Sequence, residues 1–368
     1  MTDPSPPVST AGSPTFYRRP LPDGLVAFAS PAGRTLFREA LARGGMEGWF
    51  PLAEHFHTQA EPAFCALGSL VVVLNALSID PARAWKGPWR WYAEDLLDCC
   101  DPLEVVRANG VTLPRFACLA RCNGATAAVR YAADTGVEAL RADIAAAGAG
   151  GPTVIASFGR KGLGQTGDGH YSPIGGYHPD ADLALVLDVA RFKYPPFWVP
   201  VARLHAAMVA PDLVTGRSRG WVVLDRDGTW DTQVFRIACE TPGWQAAVEE
   251  VRTRLPLVLA EAHPATASAL MELLAAAVPT ELQALMAPRP GASDVILAEL
   301  QSSALAEAVP TGDAARLVLF ALSVPDAAWG GLDPRVREEL HHHRDALPTA
   351  ARNEVDRLRA QLAALSGA

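Results

Sequence analysis

Gln59, Cys65, His170 and Asp188 are the residues of this chain whose types and order suit acyl transfer. Gln59 stands six positions before Cys65, and His170 and Asp188 follow about a hundred residues later. A cysteine attacks a carbonyl carbon as its thiolate. A neighbouring imidazole completes an ion pair with that thiolate and later protonates the leaving amine. A carboxylate behind the imidazole fixes its tautomer and orientation. A glutamine amide, with the backbone N–H of the nucleophile, can hold the developing oxyanion, and loss of one such donor typically costs roughly a hundredfold or more in rate. Together the four residues predict a thioester at Cys65.

The elements that must position them are legible in the pattern. Cys65 to Leu77 reads as a helix that is apolar nearly all round, and so buried. Its first residue is the cysteine, which there feels the positive end of the helix dipole and free backbone N–H groups. Glu61-Pro62 ends an extended approach to it. Asp101-Pro102 opens a further helix that Asn109-Gly110 closes, and Thr112 to Asn123-Gly124 repeats that logic. Thr153 to Phe158, His170 to Tyr177 and Leu183 to Val189 read as strands, the last two joined by a turn over His178 to Asp182. Pairing about that turn sets His170 opposite Asp188 or within about two residues of it, with both side chains on one face of the sheet.

Blander readings compete at each position. A lone cysteine on an apolar helix is usually a small buried hydrophobe, and only the joint pattern singles out Cys65. His55 and His57 read as a solvated loop, His178 as a turn residue, and His341-His342-His343 as part of an exposed helix from Pro334 to Leu347. Gly162 to Gly167 matches the dinucleotide pattern G-x-G-x-x-G, but that fingerprint needs a helix after it, and here a strand-like segment follows. Those glycines read instead as a turning approach to His170. Cys99, Cys100, Cys118 and Cys122 form a second sulfur cluster. On a helix Cys118 and Cys122 share a face, and a soft metal could use the set, although the spacing is not that of a structural zinc site.

Composition sets the frame. The 368 residues suffice for one large domain or two medium ones, and 49% are hydrophobic. A formal net charge of −8 argues against nucleic acid as a partner. The longest apolar runs fall short of the ~18–20 residues a membrane span needs. The Pro/Ser/Thr-rich start lacks the pattern of a signal peptide. The six cysteines are therefore expected as thiols in a reducing cytoplasm. The expected organisation is a flexible arm over residues 1–15, a catalytic domain over 16–225, and a helical C-terminal domain over 226–368. Asp225 to Thr241 reads as connecting structure, with a joint at Thr241-Pro242-Gly243.

Longer stretches sharpen the reading. Thr58-Gln59, Glu61-Pro62, Val71 to Leu77, Trp85-Lys86-Gly87-Pro88-Trp89-Arg90-Trp91, Leu97 to Cys100, Phe116 to Ala125, Gly164 to His170 and Leu187 to Pro196 resemble the phytochelatin synthase family. These are glutathione γ-glutamylcysteinyltransferases of the papain-like cysteine-peptidase clan. The likeness covers roughly Phe16 to Leu224. It implies an α+β fold: a papain-like catalytic domain, with a buried nucleophile helix packed on an antiparallel sheet, and a mostly α-helical C-terminal domain. It also implies Cys65 as nucleophile, His170 and Asp188 as its partners and Gln59 as oxyanion donor. Cys65 would expel glycine from glutathione and pass γ-Glu-Cys to a second glutathione or a growing phytochelatin. No organic cofactor is implied; cadmium or zinc ions, mainly as glutathione thiolate complexes, would stimulate the reaction. The expected partners are glutathione, phytochelatins and heavy-metal ions, with no nucleic acid and no membrane; a homodimer is left open.

Arg191 and Lys193 are candidates to hold a glutathione carboxylate or the acceptor. Two departures stand out: Phe64 and Ala66 flank the nucleophile where the family commonly has Tyr and Gly, and the tail carries only Cys239. Hydrolysis of glutathione or its S-conjugates would use the same acyl-enzyme. A non-catalytic metal-binding thiol module is the reading from another class.

Overall fold

The computed structural model describes residues 18–366, apart from 82–83, 98–100, 229, 231–234, 238–243, 279–285, 289–292 and 310–312. The first 226 residues contain strands β1 (Val26–Ala27), β2 (Ala125–Tyr131), β3 (Thr153–Gly159), β4 (Gly169–His178), β5 (Leu183–Val186), β6 (Phe197–Pro200) and β7 (Gly220–Arg226). They pair antiparallel in the order β1-β6-β5-β4-β3-β7-β2. Around them lie helices α1 (Pro31–Ala42), α2 (Trp49–His55), α3 (Cys65–Ala76), α4 (Leu103–Asn109), α5 (Leu113–Cys122), α6 (Val137–Gly148) and α7 (Val201–Val209).

Helices cover both faces of the sheet. Ile155, Leu185, Leu187, Val222 and Leu224 share a core with α3 and α5. Their neighbours Val154, Ala156, Ala184, Val186 and Trp221 face α6 and α7. A strand buried on both faces has no polar side to show, and β3 reads accordingly as a nearly continuous apolar run. Helix α3 is buried at every position from Ala66 to Asn75 and packs on β4. Its Val71-Val72-Val73 run is a poor helix former on propensity, so burial stabilises the helix rather than local preference. The helix expected from Asp101-Pro102 begins at Leu103, with Pro102 as its cap.

The β4–β5 hairpin corrects one detail. The turn is tighter than expected: His178 is still paired, opposite Leu183. That register alone would send Asp188 to the wrong face. A bulge between Ile174 and Gly176 shifts the pairing by one, to Ile174 opposite Val186. The extra residue returns Asp188 to the face of His170 and Ser172. It is Gly175, where a Cβ would stand 2.8 Å from Leu187 Cγ.

The later residues form α8 (Trp244–Ala262), α9 (Ala267–Ala277), α10 (Ser293–Gln301), α11 (Ala304–Glu307), α12 (Ala314–Ser323), α13 (Pro334–Asp345) and α14 (Thr349–Ser366). A ribbon pairs β8 (Phe235–Ile237) with β9 (Met286–Pro288). The stretch read as connecting structure thus contains the end of β7 and all of β8, because both find strand partners. Thr241-Pro242-Gly243 and Cys239 lie outside the described residues. Helix α14 packs on α5, and its Val355 and Leu358 join the core that holds α3. No helix among the described residues is long and apolar enough to cross a membrane.

Candidate active site

Cys65 is the first residue of α3 and is partly exposed. His170 lies near the start of β4 and is buried, and Asp188 follows β5 with no exposed surface. The structure brings the three together. The Cys65 sulfur and the His170 imidazole lie close enough for each to favour the other's charged form. His170 Nε2 stands 2.9 Å from Asp188 Oδ1 and 3.0 Å from the Ser172 hydroxyl. With Nε2 engaged there, Nδ1 is the nitrogen left for the sulfur. The backbone N–H of Tyr171 also favours the thiolate.

Electrostatics favour the charged pair. Burial alone would push the Cys65 thiol up, but the hydrogen bond and charge of His170, the Tyr171 N–H and the Arg160 cation hold it below its ordinary value. Burial, with Arg160, would push the imidazole down; Asp188 and the thiolate hold it above its ordinary value. Burial likewise opposes a charged Asp188, yet His170 and Arg160 keep it well below the usual carboxylate range.

Arg160 was not singled out from the sequence. It sits in the 3-10 turn Arg160–Leu163, at the start of the glycine-rich approach to His170. Its guanidinium grips Asp188 with two parallel hydrogen bonds of 2.9 and 3.0 Å and donates to Gln165 Oε1 at 2.6 Å. A carboxylate fully withdrawn from water needs a fixed counter-charge, and arginine's fork matches it bidentately. The sequence signal was an arginine between a buried strand and a glycine loop, which has no spacing rule of its own.

Gln59 is buried beside α3 with its backbone N–H on Val189 O at 3.0 Å, so its loop is tied to the segment just after Asp188. Its amide is engaged within its own loop. Nε2 donates to Glu61 O at 2.7 Å and to Pro62 O at 2.9 Å, which uses both amide hydrogens and satisfies two loop carbonyls. The N–H groups of the first turn of α3 have no intrahelical acceptor, and that of Cys65 is the donor left beside the sulfur.

A cavity of about 390 Å³ opens on Cys65. Its walls include Tyr171, Asp168, Asp212 and Arg219, none of which stood out in the sequence as a site candidate. Arg219 is 6% exposed; its guanidinium bonds the Pro211 carbonyl at 3.0 Å and lies 3.8 and 3.7 Å from Asp168 and Asp212. Arg191 and Lys193 do not line this cavity. The Arg191 guanidinium lies 4.8 Å above the Phe56 ring, and Lys193 Nζ fills the space that a Cβ on Gly167 would occupy.

Cys118 is fully buried in the core of α5 and Cys122 lies at its end, while Cys99 and Cys100 lie outside the described residues. Among the described residues no three His, Cys, Asp or Glu side chains are placed to hold a metal ion. His55 and His57 are partly buried against a second cavity, rather than solvated. His178 is buried and holds the hairpin, with Glu39 on Nε2 at 3.1 Å and the Ala181 N–H on Nδ1 at 3.2 Å. His341 pairs with Asp326 at 2.9 Å.

The family model for phytochelatin synthase matches residues 16–221. The chain belongs to the phytochelatin synthase family. Among curated proteins, it is 45% identical over 246 residues to glutathione gamma-glutamylcysteinyltransferase 3 of Lotus japonicus, covering 66% of this chain and 51% of that protein. It is 44% identical over 267 residues to glutathione gamma-glutamylcysteinyltransferase 1 of Triticum aestivum, covering 72% and 53%. The glutathione gamma-glutamylcysteinyltransferase of Schizosaccharomyces pombe is 45% identical over 212 residues, covering 57% and 51%. The chain therefore spans about half the length of these relatives, and the family-model match contains Cys65, His170, Asp188, Arg160 and Arg219.

Proposed function

We propose that this chain is a glutathione γ-glutamylcysteinyltransferase working through a papain-like Cys65-His170-Asp188 triad, with residues 16–225 as the catalytic domain and 226–368 as a helical support. The observation that carries the proposal is the pairing of Cys65 with His170, with Cys65 on the wall of a cavity whose buried cation is Arg219. The γ-glutamyl end of glutathione presents an ammonium and a carboxylate on one carbon. Arg219 suits the carboxylate, and Asp168 and Asp212 suit the ammonium.

The Cys65 thiolate attacks the carbonyl carbon of the Cys–Gly peptide bond. The oxyanion forms at the N-terminus of α3, with the Cys65 N–H as a donor; Gln59 would join it by moving one Nε2 hydrogen from a loop carbonyl to the oxyanion, its Oε1 staying in place. His170 gives its proton to the glycine nitrogen, and glycine leaves. The γ-Glu-Cys thioester remains. His170 then takes the proton from the amine of a second glutathione, which attacks the thioester and frees Cys65. Arg160 and Asp188 keep the imidazole in one orientation through both steps. Cadmium or zinc arrives as part of a glutathione thiolate complex, as substrate. The reducing cytoplasm that keeps Cys65 a thiol belongs to the same proposal.

Incubation with glutathione, with and without cadmium, followed by mass spectrometry tests the reading. Oligomers of γ-Glu-Cys are expected; glycine and γ-Glu-Cys alone would make the protein a hydrolase. Cys65→Ser should lower both products by about 10³-fold or more. An active Cys65→Ser protein would end the proposal.

A further inference from the structure

The loop that delivers Cys65 is held by a carboxyl group that the reaction itself does not use. Glu94 is 6% exposed. Its Oε2 accepts the Ala60 N–H at 2.7 Å. Its Oε1 lies 2.6 Å from the point where a Cβ on Gly68 would stand, one turn along α3 from Cys65. Gln59 presses on the same point, with its Cβ at 3.2 Å. Glycine at 68 is what leaves room for both.

Helix α3 also fixes the segment that carries Glu94. Asn75 lies seven residues beyond Gly68 and so on the same helix face. It clamps Tyr92 from both sides, donating to the carbonyl at 3.0 Å and accepting from the N–H at 3.1 Å. The helix that begins with the nucleophile thus positions Glu94, and Glu94 positions the loop leading back to that nucleophile.

Among the described residues, two oxygens of the side chains that meet at Gly68 have no hydrogen-bond partner: Glu94 Oε1 and Gln59 Oε1. Two acceptors cannot satisfy each other, but a protonated carboxyl beside an amide carbonyl can. We propose that Glu94 is a positioning residue for the acyl transfer: in its neutral form it donates to Gln59 Oε1 while accepting from the Ala60 N–H, and so fixes the loop before Cys65. Burial is what favours the neutral form, opposed by the Ala60 N–H, and it pushes the carboxyl up to about 7. Asp95 and Glu61 face the group and raise it further. Glu54, His55, His57, Lys86, Tyr92 and Arg107 are the other charged or titratable groups on the adjoining cavity of about 650 Å³.

The inference rests on the proposed reaction, and its test separates the two. Glycine release from glutathione is measured from pH 5.5 to pH 9 for the parent protein, Glu94→Gln and Glu94→Ala. The neutral carboxyl gives the parent a loss of kcat as pH rises through about 7. Glu94→Gln, a permanent donor and acceptor, should keep the parent's low-pH kcat and lose that descending limb. Glu94→Ala should lower kcat about tenfold to a hundredfold with little change in KM, as expected for a misplaced reacting group. The same limb in Glu94→Gln, or an undiminished kcat in Glu94→Ala, would overturn the role. The infrared carbonyl band of a neutral buried carboxyl reads Glu94 without substrate. It should titrate near 7 in the parent and be missing from Glu94→Gln; its absence from the parent would also overturn the role. A parent protein that releases no glycine but shows the band would count against the reaction and leave the Glu94–Gln59 bond standing.

Discussion

At the scale of single residues the site is a row of charges: Cys65, His170, Asp188 and Arg160. Its first three members were legible because thiol chemistry demands those types together. Arg160, Arg219 and Glu94 were not, because one charged residue inside an apolar stretch carries no periodicity; only the fold shows which carboxylate or cavity it meets. Replacing Arg160 with Met takes away the fixed counter-charge of Asp188 and leaves it with the titrating imidazole and the Ala190 N–H, and should cost about 3–5 kcal/mol of stability in chemical denaturation. Arg160→Lys keeps the charge and loses the fork, so activity should fall with a smaller loss of stability.

The lowered thiol and raised imidazole make a second prediction at this scale. Cys65 should be alkylated by iodoacetamide at a lower pH than an ordinary thiol, and its rate should fall only on acidification through the lowered thiol pKa. In His170→Asn the rate should instead rise towards alkaline pH, as for an ordinary thiol. Peptide mapping at Cys65 distinguishes the two profiles.

Glu94 links the site to stability. Its carboxyl is raised from 4.5 to about 7, so the folded protein keeps a proton that the unfolded chain has lost. The stability this proton supports is full below pH 4.5, declines as pH rises to about 7, and is gone above it. That interval is worth up to about 3 kcal/mol, so Glu94→Gln should be more stable than the parent at pH 8, by urea denaturation, and little different at pH 4.5.

At the scale of elements, α3 and the β4–β5 hairpin set the geometry. The helix was plain from its apolar run, and the strands from theirs. The hairpin register was not, because a one-residue tighter turn and a bulge cancel, and neither leaves a mark in the hydrophobic pattern beyond Gly175-Gly176. Gly175→Ala should therefore disturb activity more than its size suggests. The new methyl meets Leu187, next to Asp188, and overpacking of this kind costs about 1–3 kcal/mol. A parent-like kcat in that variant would show that the bulge tolerates a side chain.

At the scale of the whole molecule, the tail is part of the same packing problem as the site. Helix α14 lies on α5, Glu354 Oε1 receives the Phe235 N–H at 2.7 Å, and Leu358 is 1% exposed. Proline-punctuated helices were readable in the tail, but not the surface they cover, since an apolar helix face does not name its partner. Leu358→Ala should cost about 2–5 kcal/mol and lower Tm, while the rate well below the transition stays near the parent's.

The central claim is a thioester on Cys65. Its most direct measurement is the intact mass of the protein quenched in acid during turnover of glutathione, followed by peptide mapping. The account predicts an adduct of glutathione less glycine, carried by the peptide containing Cys65, absent from Cys65→Ser and discharged by added glutathione. Turnover with no adduct on the parent protein, or an adduct mapped to another cysteine, would contradict it.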